Sequence, residues 1–161
     1  SVCKGLAMLS PLNSVSFDAH FPLQLTAARA FSLEDVGRNR VLLRLLAAEE
    51  TTLTDPALAR LEAKLDACLM LLPHTTPVLP EHACRVGLTQ IAIQGKGTFA
   101  PQQTAMLTLM PNWHYPLSLV LPVTLSVLPD GVLAQFERVF DSEDEARWSR
   151  FVFHCHRRQL S

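Results

Sequence analysis

The stretch Asp55-Pro-Ala-Leu-Ala-Arg-Leu-Glu-Ala-Lys-Leu-Asp-Ala-Cys-Leu-Met-Leu-Leu72 carries apolar side chains at Leu58, Leu61, Leu65, Cys68 and Leu72, spaced three, four, three and four residues apart. That spacing is a heptad seam, the pattern of a helix that packs lengthwise on another helix. Asp55 suits the N-cap, and Pro56 falls at the first helical position, where a missing N–H costs nothing. Pro73 ends the helix. Five seam positions are too few to hold an isolated coiled coil together, so other parts of the chain must help. On the residues alone, two partners fit the seam: the helix before it, as a hairpin, or a second copy of the chain.

That preceding helix starts at Ser32-Leu-Glu-Asp35, an N-cap followed by acids that suit the positive end of the helix dipole. It runs through the helix formers up to Glu50, with Val36, Leu42, Leu43, Leu45 and Leu46 on a broad apolar face, and Thr51 to Asp55 breaks it. Before it, Ser14 to Ala28 alternates apolar and polar residues, the period of a half-buried strand, with Pro22 marking an edge or a bend. After the seam, Pro73 to His82 reads as a linker and the rest as β-structure. Cys84 to Gln94 alternates, Gly95-Lys-Gly97 turns, and Ala105 to Met110 and Leu117 to Leu128 are strands, the latter with an edge or bulge at Pro122. Pro129-Asp-Gly131 is a hairpin turn and Val132 to Phe140 a returning strand. Asp141 caps a last helix over about 143–158, acidic at its start and basic at its end.

Apolar residues make up 48% of the 161 and charged residues only 18%, which leaves room for a buried subunit interface. A net charge of −1 offers no field to attract a nucleic-acid polymer, and no run of 18 apolar residues exists, so no membrane insertion is expected. The first 13 residues show no cleavage pattern, so the expected location is cytoplasmic. The cysteines form no CxxC pair and read as reduced, small apolar residues. Neighbours in His154-Cys155-His156 point about 100° apart on a helix, so no metal site is expected. The acids of Asp141-Ser-Glu-Asp-Glu145 read as a solvated helix start, not a catalytic cluster. Gly95-Lys-Gly-Thr98 lacks the first glycine of a phosphate loop. Trp113-His-Tyr115 is a loop with aromatic bulk, either a plug at the end of the β-structure or a docking patch. No triad is placed by the sequence, and no catalytic residue is assigned.

A β-meander closing on an acid-capped helix with Phe151-Val-Phe-His-Cys-His-Arg-Arg158, together with Leu61-Glu-Ala-Lys-Leu-Asp66 before a proline-rich linker, resembles the atypical, tetrameric branch of the PilZ family. The resemblance implies an α+β, mainly β fold. That fold is a six-stranded antiparallel β-barrel with two helices inserted after the first strand and a C-terminal helix. It implies one PilZ-like domain over 1–161, with an N-terminal segment at 1–13, a helical oligomerisation region at 32–72, and the rest of the barrel and last helix at 84–158. It also implies assembly of four copies through the inserted helices, with Leu58, Leu61, Leu65, Cys68 and Leu72 at the interface.

The resemblance further implies a ligand, the bacterial second messenger cyclic di-GMP. Ordinary PilZ domains hold it with Arg-x-x-x-Arg before the first strand and Asp/Asn-x-Ser-x-x-Gly at a later turn. Arginines suit phosphates and guanine acceptor edges, and glycine lets the backbone come close. No arginine precedes the first strand here. Arg40-Val-Leu-Leu-Arg44 matches the first pattern but lies within the first helix, where two arginines on one face have a plain structural reading beside Glu49 and Glu50 or along their stems. The second motif aligns as Gly87-Leu-Thr-Gln-Ile-Ala92, with Thr89 for serine, or less well as Gln90-Ile-Ala-Ile-Gln-Gly95; either loses two of three defining residues. Each lost charge-assisted bond removes roughly 1.5–3 kcal/mol, so the usual site is expected to be lost. Arg40, Arg44 and Thr89 remain as candidate ligand residues. The expectation is a non-enzymatic adaptor that self-assembles and meets other signalling proteins, with no cofactor. The alternatives are a cyclic di-GMP receptor using a non-standard site and a structural oligomeric scaffold.

Overall fold

The computed structural model describes residues 12, 14–48, 54–71, 78–95, 103–112 and 117–161. Its elements are β1 (Ser16–Ala27), α1 (Leu33–Ala48), α2 (Pro56–Leu71), β2 (Glu81–Gly87), β3 (Gln90–Gln94), β4 (Gln103–Leu109), β5 (Leu119–Leu128), β6 (Gly131–Gln135) and α3 (Ser142–Leu160). The strands close an antiparallel barrel in the order β1-β2-β3-β6-β5-β4. Closure removes the free edges an open sheet would expose. Cys84, Val86, Ile91, Leu107, Leu109, Leu121, Leu125 and Ala134 fill the inside and are fully buried. Burial pushes the Cys84 thiol up to about 12. Leu42, Leu43 and Leu46 of α1 and Trp148 and Val152 of α3 join the same core.

Both strand prolines sit where no rung is lost. β1 pairs with β2 from Ser16 to Pro22 and with β4 from Leu23 to Ala27, so Pro22 marks the exchange of partners. There Leu23 N donates to Pro80 O and Met110 N to Pro22 O. β5 pairs with β4 along Leu119 to Leu125, but with β6 only from Thr124 to Leu128. Pro122 therefore lies where β5 has no β6 neighbour.

Two side-chain amides supply what those strand halves lack. Asn39 of α1, 1% exposed, donates Nδ2–H to Val120 O and accepts from Val120 N through Oδ1, both at 2.8 Å. It acts as a strand rung on β5 where β6 is absent. On the half of β1 that β4 does not reach, Gln159 of α3 accepts from Asp18 N at 3.0 Å and donates to Asp18 O. His156 Nδ1 lies 2.7 Å from Ser16 O. The two helices thus hold the barrel by hydrogen bonds as well as by apolar packing.

Three expectations need correction. Cys84 to Gln94 is two strands joined at Leu88-Thr89, not one. Neither residue is a turn former; the turn is held from outside by Trp148 Nε1 donating to Leu88 O and Phe136 N to Thr89 O. The returning strand stops at Gln135, because the chain enters a left-handed conformation at Arg138, φ 53°. The linker after the seam ends at Pro80, and β2 takes Glu81 and His82. The hairpin at Pro129-Asp130 requires glycine next to it: a Cβ on Gly131 would stand 1.9 Å from Ile93 O.

Candidate functional site

Two regions were singled out by sequence: the turn that matches the nucleotide motif, and the leucine seam. The turn Gly87-Leu-Thr-Gln-Ile-Ala92 joins β2 to β3. Gly87 faces protein, since a Cβ there would meet Leu12 Cδ1 at 2.9 Å, Gln90 O at 3.2 Å and Ser14 Oγ at 3.4 Å. Ala92 is fully buried. Thr89 is exposed, but the carbonyls of Leu88 and Thr89 are both occupied by bonds from Trp148 and Phe136. In the other register Gln90 is half-buried, and Gly95 is exposed with φ 155°.

Arg40 is turned to a different task from the one its motif suggested. Its Nη2 lies 2.6 Å from Asp141 Oδ2 and its Nε 3.2 Å from Asp144 Oδ2. Asp144, 2% exposed, also takes Arg147 Nη1 at 3.0 Å. Asp141 is the N-cap of α3, accepting from Asp144 N at 2.8 Å. That bond first, and then Arg40, holds the Asp141 carboxyl below its ordinary range, while Asp144 raises Arg40. Arg40 therefore ties α1 to the first turn of α3. The acid run is in part a buried ionic lock rather than a solvated helix start. Arg44, one turn on, is exposed.

A second ionic cluster opens α1. Ser32 Oγ accepts from Asp35 N at 3.2 Å while Asp35 Oδ2 accepts from Ser32 N at 2.9 Å, a capping box. Arg29 adds Nη1 and Nη2 at 2.6 and 3.0 Å and holds the Asp35 carboxyl well below the usual carboxylate range. Across β1 and β2, Arg85 Nε meets Asp18 Oδ1 at 2.7 Å. None of these partners was assigned from sequence. The Ser32/Asp35 spacing alone could have revealed its own pair; Asp18–Arg85 and Arg40–Asp141 join residues 67 and 101 apart.

The seam helix behaves differently from α1 and α3. α2 is capped as expected, with Ala57 N donating to Asp55 Oδ1 at 2.9 Å. Every side chain described on it is exposed, with Leu58, Leu61 and Leu65 at 50%, 53% and 56% and Cys68 also open. The hairpin option requires the seam to be buried against α1; among the described residues, the seam positions Leu58, Leu61, Leu65 and Cys68 are not. Leu72 lies outside the described residues, as do Lys96, Gly97 and the Trp113-His-Tyr115 loop.

Among the described residues, no group of His, Cys, Asp and Glu could hold a metal ion, and no helix is long and apolar enough to cross a membrane. In the His154-Cys-His156 run, His156 is engaged with Ser16 and Cys155 packs on the core. A groove of about 370 Å³ runs between β1 and α3, lined by Phe17, Phe21, Phe151, His154 and Arg158 among others. Phe17 and Phe151 meet edge to face across its floor.

Comparison with known proteins matches this architecture. A solved structure of a pathogenic protein from Xanthomonas campestris, described as a new tetrameric PilZ domain self-assembled via an unusual helical bundle, covers 92% of each chain with a TM-score of 0.74 and 20% identity. At that identity the likeness shows the fold. No curated protein matches. The family model for the atypical PilZ domain, described as a cyclic di-GMP receptor, matches residues 43–161, most of the chain. From α1 to the C-terminal helix, then, this chain belongs to the atypical PilZ domain family.

Proposed function

We propose that this protein is a non-enzymatic adaptor of cyclic di-GMP signalling, working in the cytoplasm, that self-assembles through α2 and has lost the usual nucleotide pocket. One observation carries the reading: a 16-residue helix keeps three leucines of a heptad seam half exposed, while α1 buries Leu42, Leu43 and Leu46 and α3 buries Trp148 and Val152 in the core. A soluble chain gains roughly 1.5–3 kcal/mol for each such leucine it covers, and copies of the same seam are self-complementary. The Xanthomonas protein with this fold is described as assembling through a helical bundle, which supports the same use of α2 here. Support for loss of the pocket comes from the covered Gly87, the buried Ala92 and the engaged Arg40.

Leu65→Glu tests the assembly. The account expects light scattering to give single chains or precipitate, and an unchanged soluble particle overturns it. Titration calorimetry of the whole protein with cyclic di-GMP tests the pocket. No low-micromolar heat is expected. A second reading has one observation in its favour, the receptor description of the family. On that reading calorimetry finds one site per chain, and Arg44→Ala removes it.

A further inference from the structure

α3 has an outward face that the barrel leaves unused. It buries Asp144, Trp148 and Val152 and turns Phe151 and Cys155 toward the core. At 100° per residue the opposite stripe holds Ala146, Arg150, Phe153, Arg157 and Leu160, spaced 4, 3, 4 and 3. All five are exposed, Phe153 at 42% and Leu160 at 75%. Among the described residues neither Arg150 nor Arg157 takes an ion pair, and Glu143, on the same flank of the stripe, holds only a 3.8 Å contact with Arg147.

Size and charge divide this stripe in two. Its first half is small and acidic, with Ser142, Glu143 and Ala146; its second half is bulky and basic, with Arg150, Phe153, Arg157 and Leu160. An acidic partner protein would match only the second half. A reversed copy of α3 matches both. About a two-fold axis, each flank meets the same flank of its mate running the other way. We propose that the outward face of α3 docks antiparallel on α3 of a second copy of this chain. Arg150 of each copy stacks on Phe153 of the other, and Arg157 of each reaches Glu143 of the other. The antiparallel arrangement also opposes the two helix dipoles.

The contact is small. Fifteen residues of helix are about 21 Å long, and a crossing of that length buries well under the roughly 800 Å² per partner of a stable complex. Pairing is therefore weak and concentration-dependent, and it joins whole particles whatever their mass. It does not depend on assembly through α2.

Sedimentation over a concentration series tests it on the full chain. The unmodified protein is expected to gain particle mass reversibly as concentration rises. Arg157→Glu and Glu143→Arg should each weaken this self-association by about tenfold. Because both residues sit in one self-complementary face, the two changes on one chain should restore it to within about threefold. Run in the Leu65→Glu background, the same series doubles from one chain to two, so failure of the α2 reading alters only the starting mass. A particle whose mass never rises with concentration, an unchanged Arg157→Glu variant, or a double reversal without recovery overturns the proposal; capture of an acidic partner by the unmodified chain alone would do the same.

Discussion

Asn39→Ala should be among the most damaging single changes in this protein outside its apolar core. The Asn39 amide is 1% exposed and makes two 2.8 Å bonds to the N–H and C=O of Val120, itself 5% exposed. Truncation strands both backbone groups where β6 does not reach. Each stranded group costs about 1–3 kcal/mol, so the pair gives about 4 kcal/mol at the middle of the range. For a chain of this length, that lowers Tm by roughly 8–16 °C. Urea unfolding followed by circular dichroism, at matched protein concentration, measures it. Asn39→Leu separates polar from packing loss, since it fills the space yet leaves Val120 unpaired. Both variants should lose similar stability. If Asn39→Leu unfolds within about 0.5 kcal/mol of the unmodified chain, the amide is not a surrogate rung and the account of α1 docking fails.

Other outcomes follow from single sites. Gly131→Ala should prevent normal folding or cost more than about 2 kcal/mol, read by thermal melts, because its Cβ would overlap Ile93 O at 1.9 Å. Asp35 stays ionised in the fold below the pH at which the unfolded chain protonates, near 4, so its contribution is full above that pH and is lost as pH falls further. The stability gap between the unmodified chain and Asp35→Asn should therefore narrow between about pH 5 and pH 2. Thiol labelling at pH 8 should spare Cys84, whose thiol is pushed up to about 12, until denaturant is added. Cys68, open on the single chain, should be protected in the assembled protein and react quickly in Leu65→Glu.

How much of this was legible in the sequence depends on how far apart the interacting residues are. Signals local to a few residues read correctly: Asp55-Pro56 starts α2, Asp141 caps α3, Pro129-Asp-Gly131 turns, and Pro22 marks where β1 changes partners. The Leu88-Thr89 turn did not, because Trp148 and Phe136 hold it across 60 and 47 residues of chain and nothing in its own composition favours a turn. The same holds for Arg40: the Arg-x-x-x-Arg spacing is visible, but its use is decided by Asp141 and Asp144 a hundred residues on. A lone asparagine in an apolar helix gave no sign of a strand rung. The seam was legible as a pattern, and the structure adds that nothing described within the chain covers it.

The most direct test is the particle mass of the unmodified chain, by sedimentation velocity at micromolar concentration. Self-assembly through α2 as four copies predicts about four times the 17.9 kDa chain mass. A stable, soluble particle of one chain mass, with its leucines open to water, would contradict it.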